Sequence, residues 1–585
     1  MMLLVVSALR VARRIGVLGV LVAAAALLPA APVGNGPLLR HHPDVAQADD
    51  PPLFDPAEFL DENTLDVTVL QDWHVDTVTG VSRQKLIEIK VAEWWPGQDY
   101  RVPVRLIVPL TGKATGFWIT GGHEYDSFGG DVAIGGVSAT LLAGGVGLVH
   151  TVVQPLDSLP GGAQLAQEMS DRFFQTHDAR YTVYWIWPMT LMRAATAAYA
   201  ESDYFEAGKI AASGGSKNGF APAVALIQDD RFTAICSSVA PAYASPLRLY
   251  DQATMDAVTA ANDWFFGALD AGEIDPGEHT RQWYVANSWG TSGQDLHTLA
   301  LDAGWTWDEI REIAISTAGE LFVSENWDDI MTRGADVLFQ PGTHDFVAYD
   351  ILWGAQRHSN IPVYYQPNGG HAQTPHPAAE TDVENLYALL VTHFFGGDPM
   401  LEPPASSHRL IGDELHVTVT FNSGPQAESG RIFWIYDRHP GGSAPFLWKK
   451  IADEDWMDMT FDAETGAWKA AIPLDPAASS IEFFSNHGLV VEGYQTYLSS
   501  PYTRVELAPP PVGGFAELDA TETKSFGVSR PSDASARGSA ALAASAALAA
   551  LVPAGAALCL GRRRARCWRS RPSPDGSDSM PAEQA

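Results

Sequence analysis

At 585 residues the chain is too long for one hydrophobic core, so two domains or more are expected. Its 46% hydrophobic and 10% aromatic content belongs to a packed globular protein and excludes a largely disordered one. A formal net charge of -33 repels nucleic acid, and no basic groove with aromatic platforms offsets it.

The first residues carry Arg10, Arg13 and Arg14 ahead of the apolar run GVLGVLVAAAALLPAA, with no acidic residue before Asp44. That order predicts a secretory signal over residues 1–31, cleaved near Ala30–Ala31. From about 64 to 120, segments such as RQKLIEIKVAEWW and YRVPVRLIVP alternate apolar and polar residues and predict strands joined by hairpins. Beyond 121 short apolar strands alternate with helical stretches. GVGLVHTVVQ predicts a strand, WIWPMTLMRAATAAYAES a helix, KIAASGG a strand and SKNGFAPAVALIQ a helix. FTAICSSVAP, ADVLFQPG and IPVYYQPN predict three more strands. Such alternation implies an α/β fold, a mainly parallel sheet covered on both faces, over residues 49–403.

Residues 241–333 interrupt this pattern with helical runs rich in Trp, Asp and Ala, and read as a helical cap inserted over the sheet. Its tryptophans line a substrate cleft or fill the cap's own core. After Pro403, short strands such as ELHVTVTF and GRIFWIYDR predict an antiparallel β-sandwich over 404–508. Residues 509–537 have linker composition. Gly538–Leu560 carries no charge and is long enough to span a bilayer, and Arg562, Arg563, Arg564 and Arg566 follow it. The expectation is a body exported to the cell surface, held by a single C-terminal transmembrane segment with 561–585 as a basic cytoplasmic tail. The alternative is a sorting tail removed after export. Of the three cysteines, Cys559 and Cys567 lie in or beside this tail, which leaves Cys236 alone in the main body, within a strand that reads as buried.

The chemistry centres on AASGGSKNGF. Ser216 stands between a strand and a helix, where a nucleophilic serine must adopt strained backbone angles among very small neighbours. Gly214 and Gly219 provide the room, and Asn218 stands where the commonest form of this turn has glycine. The helix start would make the Lys217 N–H an oxyanion donor. A serine hydroxyl needs a base held by an acid. ADVLFQPGTHD places Asp345 just past one strand and IPVYYQPNGGH places His371 just past the next, in the chain order Ser, Asp, His. Asp345 is preferred to Asp350, which falls on the following helix. His344 has the wrong position for a base. A second oxyanion donor is expected from Gly122 or His123 in GFWITGGHEYDSFGG. His123, Glu124 and Asp126 match no standard ligand spacing, so neither a metal nor a cofactor is expected.

The motifs DWHVDTV, VVQPLDSLP, WIWPMTLMRAATAA, SGGSKNG, FTAICSSVAP, GTHD and PNGGH occur in the order found in the PhoPQ-activated pathogenicity-related protein family, which the chain resembles over roughly 64–507. The resemblance implies a secreted α/β-hydrolase fold, a G-x-S-K-x-G turn at Gly214, Ser216, Lys217 and Gly219, and a small C-terminal β-domain. The chain departs from that family most in the cap and at Asn218, where the family usually has arginine. The serine turn is also similar to that of glucuronoyl esterases. Together these readings imply a serine hydrolase acting on a small-molecule, peptide or polysaccharide ester or amide. The competing readings are a non-catalytic surface or signalling protein on a hydrolase scaffold, and a carbohydrate esterase.

Overall fold

A computed structural model describes residues 52–507, apart from 155, 157–161, 244–251, 290–295, 372 and 440. The expected signal, linker, C-terminal apolar segment and basic tail lie outside the described residues. Among the described residues no helix is long and apolar enough to cross a membrane.

The main sheet holds eight strands, β1 (Thr68–Val75), β2 (Ser82–Trp95), β3 (Gln98–Pro109), β4 (Ala114–Thr120), β5 (Gly147–Thr151), β6 (Phe205–Gly215), β7 (Phe232–Ser238) and β8 (Asp336–Gln340). Their order is β1-β2-β3-β5-β4-β6-β7-β8. β1, β2 and β3 form an antiparallel meander, and β3 meets β5 antiparallel. From β5 onward every pair is parallel. This order, with its antiparallel entry and parallel body, is that of the α/β-hydrolase fold. β5 is buried along its whole length, which explains its continuous apolar run.

Helices cover both faces. α1 (Gly136–Ala143), α2 (Gly162–Thr176), α3 (Val183–Ala200) and α4 (Lys217–Gln228) occupy the crossovers. α3 is buried almost throughout and packs with α4 into the core on one face. The other face is covered by α1 and by a later helix, Asn385–Phe395. Between β7 and β8 the expected insertion forms α5 (Gln252–Asp270), α6 (Arg281–Asn287), α7 (Leu296–Asp302), α8 (Trp307–Leu321) and α9 (Trp327–Thr332). Trp289 and Trp305 are buried in a core formed largely by these helices, whereas Trp264 is exposed. At these positions two of the cap tryptophans fill core and one faces outward.

The strand expected at IPVYYQPN is reduced to isolated parallel bridges, Phe339 with Val363 and Gly342 with Gln366. Pro362 and Pro367 lack the N–H groups that a continuous ladder needs. The segment still lies beside β8, because Tyr364 N–H donates to Phe339 O at 2.9 Å and Gln366 N–H to Pro341 O at 3.0 Å.

Residues 405–506 form two antiparallel sheets. One runs β13 (Thr460–Asp462), β14 (Ala467–Pro473), β10 (Glu414–Thr420), β9 (Ala405–Ile411). The other runs β12 (Trp456–Asp458), β11 (Ser429–Tyr436), β15 (Ser480–Val491), β16 (Tyr494–Ser499), with β17 (Thr503–Glu506) also on β15. Strand alternation sends Leu415, Val417 and Val419 to one core with Ile432, Trp434 and Phe483. Phe433, Ile435 and Phe484, on the opposite face of β11 and β15, join the core of the main body. The sandwich is therefore fused to the sheet domain through apolar packing. A short helix, Ala444–Trp448, which sequence patterning did not reveal, packs Phe446 and Leu447 into the core of the cap.

Candidate active site

The parallel strands bring four predicted segments to one edge of the sheet, the edge formed by the strand C-terminal ends. β4 leads into Gly121 and Gly122, β6 into Ser216, β8 toward Asp345, and the bridged segment to His371.

Ser216 lies between β6 and α4 with φ 60° and ψ -127°, a strained combination for a residue with a side chain. Three backbone hydrogen bonds hold it there. Its N–H donates to Ser238 O at 2.9 Å, and its carbonyl accepts from Gly219 N–H at 2.9 Å and Phe220 N–H at 2.8 Å. The adjacent glycines are required by space. A Cβ on Gly214 would lie 2.3 Å from Asn218 O, and one on Gly219 would lie 2.8 Å from both Gly214 O and Ser238 O. The turn thus needs glycine at 214 and 219, and position 218 accommodates asparagine. The Ser216 hydroxyl is not used to cap α4. Lys217 opens that helix, so its backbone N–H lies at the positive end of the helix dipole.

His371 and Asp345 are joined. His371 Nδ1 lies 2.8 Å from Asp345 Oδ1 and 2.7 Å from Oδ2. Asp345 is fully buried, and its Oδ1 also accepts from Val347 N–H at 3.1 Å. Phe346 packs against the imidazole with ring centroids 4.6 Å apart. With Nδ1 facing a carboxylate, the ring carries its proton there and presents Nε2 as the basic atom. Nε2 is buried and, among the described residues, has no hydrogen-bond partner, so the structure joins base to acid but does not hydrogen-bond His371 to Ser216.

The loops of acid and base pass so closely that no side chain fits between them. A Cβ on Gly342 would lie 2.1 Å from Gly369 O, and one on Gly370 would lie 2.9 Å from Asp345 Cβ. The C-terminal sandwich holds both loops. Asn368 exchanges hydrogen bonds with Ile451, its Nδ2 donating to Ile451 O at 2.8 Å and its Oδ1 accepting from Ile451 N–H at 2.9 Å. Arg438 Nη2 donates to Thr343 O at 2.7 Å. From the cap, Glu278 accepts from Thr374 N–H at 3.2 Å and from Lys450 Nζ at 2.5 Å. These ties went unread in the sequence because their partners are far apart along the chain.

The rival residues sit elsewhere. Asp350 accepts from Ala242 N–H at 2.9 Å and Tyr243 N–H at 2.8 Å, and burial pushes its carboxyl up to about 7. His344 is fully buried between Thr343 Oγ1 and Lys449 O, and burial drives its pKa well below the ordinary value. Cys236 is buried, and burial raises its thiol to about 12. Gly122 makes an isolated bridge to Val152, and a Cβ added to it would lie 3.8 Å from Asn218 Nδ2, so its backbone abuts the first turn after Ser216. His123 lies with Nε2 2.8 Å from Thr120 Oγ1 and stacks on His150 at 4.4 Å, and burial lowers its pKa.

No family model matches the chain, and no curated protein matches it. Among solved structures it is similar to acetyl xylan esterase 1 from Thermoanaerobacterium sp. JW/SL YS485, at 12% identity and a TM-score of 0.27, covering 53% of this chain and 84% of that one. A glucuronoyl esterase from Solibacter usitatus matches at 15% identity and 0.27, covering 58% and 78%. Methylesterase BT1017 matches at 12% identity and 0.29, covering 56% and 57%. The fold assignment above rests on strand order and direction.

Proposed function

We propose that the chain is a serine hydrolase that cleaves an ester or amide through a covalent acyl-enzyme. The observation that carries this reading is the pairing of a buried Asp345 with a partly exposed His371, whose Nε2 has no hydrogen-bond partner among the described residues and which follows the same sheet edge as a strained Ser216. Ser216 Oγ attacks the carbonyl carbon while His371 Nε2 takes its proton. Asp345 holds the imidazole tautomer and stabilises the imidazolium. The Lys217 and Gly122 N–H groups receive the oxyanion. The tetrahedral adduct then collapses: the original acyl bond breaks as His371 gives its proton to the leaving group, leaving an acyl ester on Ser216. Water, giving a proton to His371 Nε2, attacks that ester, and the second collapse returns the proton to Ser216 Oγ and releases the acid. The hydrogen bond between Ser216 and His371 forms as the substrate enters, since such contacts often tighten only in the complex.

The same reading includes a secretory signal over 1–31, a C-terminal membrane tether and kinship with the PhoPQ-activated pathogenicity-related family, each supported by the sequence patterns described above. The test of the chemistry is turnover of p-nitrophenyl acetate, aminoacyl amides and methyl uronates by the parent protein and by Ser216→Ala. Loss of several powers of ten in the variant, with its fold intact, is the expected result. Equal turnover by the two proteins contradicts the assignment. N-terminal sequencing of the mature protein and alkaline extraction of membranes test export and tethering.

A further inference from the structure

The DWHVDTV motif takes no part in the chemistry above, yet its histidine lies against the loop that carries Gly122. Strand register puts Arg105 of β3, His150 of β5 and Thr120 of β4 in one row at the catalytic edge of the sheet. Arg105 is 1% exposed. Its Nη2 donates to Phe128 O at 3.0 Å, and its Nη1 lies 3.5 Å from Asp131 Oδ1. Phe128 and Asp131 both belong to the loop that begins at Gly121. Asp131, itself only 2% exposed at its side chain, is gripped from the other side by β1 and the turn after it. His74 Nε2 lies 2.9 Å from Oδ1, and Thr77 donates to Oδ2 through both its N–H and its Oγ1 at 2.8 Å. The Asp72 carbonyl sits 2.9 Å from His74 Nδ1, and Gln71 Nε2 lies 3.1 Å from His74 Nε2; the Asp72 and Asp131 contacts raise the ring's pKa. Phe128 packs in one buried cluster with Leu86 and Val152, the residue bridged to Gly122.

A surface loop has no need of a buried arginine and a buried aspartate, because desolvating both is costly. A loop that must hold one backbone N–H to within a fraction of an ångström of a developing oxyanion does need rigid anchors. We propose that His74, Arg105 and Asp131 are positioning residues that set the Gly122 oxyanion donor, acting on the transition state through the 121–132 loop without touching substrate. This inference rests on the hydrolase reading above.

The test uses the full chain with two variants, Asp131→Asn and Thr77→Val. The second removes one hydrogen bond at an exposed residue, so it keeps the inference testable if the first does not fold. Steady-state hydrolysis of p-nitrophenyl acetate and the rate of Ser216 labelling by a fluorophosphonate are measured beside melting temperature. A displaced donor lowers kcat with KM unchanged, by about 10- to 100-fold for Asp131→Asn and roughly three- to tenfold for Thr77→Val, and slows labelling in parallel. A folded pair of variants with kcat within twofold of the parent, or with the loss confined to KM, overturns the inference alone. A parent protein that is neither active nor labelled overturns the hydrolase reading, and this inference with it.

Discussion

Replacing Asp345 by asparagine keeps the shape of the site and removes one charge. In the parent, both carboxylate oxygens face His371 Nδ1 at 2.8 and 2.7 Å, with no exposure to water. When the imidazole takes the Ser216 proton, its positive charge lies roughly 4 Å from the centre of the carboxylate charge, which at an effective dielectric constant of about 20 stabilises it by about 4 kcal/mol. That corresponds to about three powers of ten in rate. The asparagine amide can also donate to Nδ1 and favour the wrong tautomer, so kcat for p-nitrophenyl acetate should fall by about 10³ to 10⁴. KM should change little, because the pair does not touch the ground-state ester. Circular dichroism and melting temperature establish that the variant is folded. A folded Asp345→Asn protein within tenfold of parental kcat would refute the assigned role of the carboxylate.

Gly214→Ala should destabilise the protein by about 1–3 kcal/mol, because the new Cβ meets a backbone carbonyl at 2.3 Å, and melting temperature reads this directly. Asn368→Ala removes both hydrogen bonds to Ile451 and should lower stability by about 1–3 kcal/mol, together with kcat, since it frees the loop carrying His371; thermal melts and p-nitrophenyl acetate kinetics measure the two effects. Asp76 is penalised by burial, but N–H groups of Thr79, Gly80 and Ser82 donate to it and hold its pKa far below 3.8. A depressed carboxylate stabilises the fold above its ordinary pKa and loses that contribution as pH falls toward its folded value. The melting-temperature deficit of Asp76→Asn should therefore be full at neutral pH and shrink progressively below pH 3.8. Cys236 should stay unalkylated in the native protein and react only after unfolding, as peptide mass mapping would show.

The residues differ in how openly the sequence displays them. Ser216 is legible because its constraint is local: two glycines within three residues relieve the contacts its own backbone creates. Asp345 and His371 are legible because parallel strands deliver their following loops to a common edge. The last strand is broken where the sequence pattern predicts it whole, because Pro362 and Pro367 remove ladder donors from an otherwise apolar, aromatic run. The Ala444–Trp448 helix was missed because five residues are too few for helical periodicity to emerge. The Glu278–Lys450 and His74–Asp131 contacts could not be read at all, because pairing between distant segments leaves no periodic trace. Asn218 broke the expected glycine spacing without harm, since the tight contacts fall on Gly214 and Gly219.

The most direct measurement is peptide mass mapping after treatment of the purified chain with a fluorophosphonate. A single adduct on Ser216, lost in His371→Ala and in protein inactivated at low pH, is the predicted result. An unmodified Ser216 in folded protein, or an adduct formed equally well without His371, would contradict the central claim that this hydroxyl, imidazole and carboxylate act as one unit.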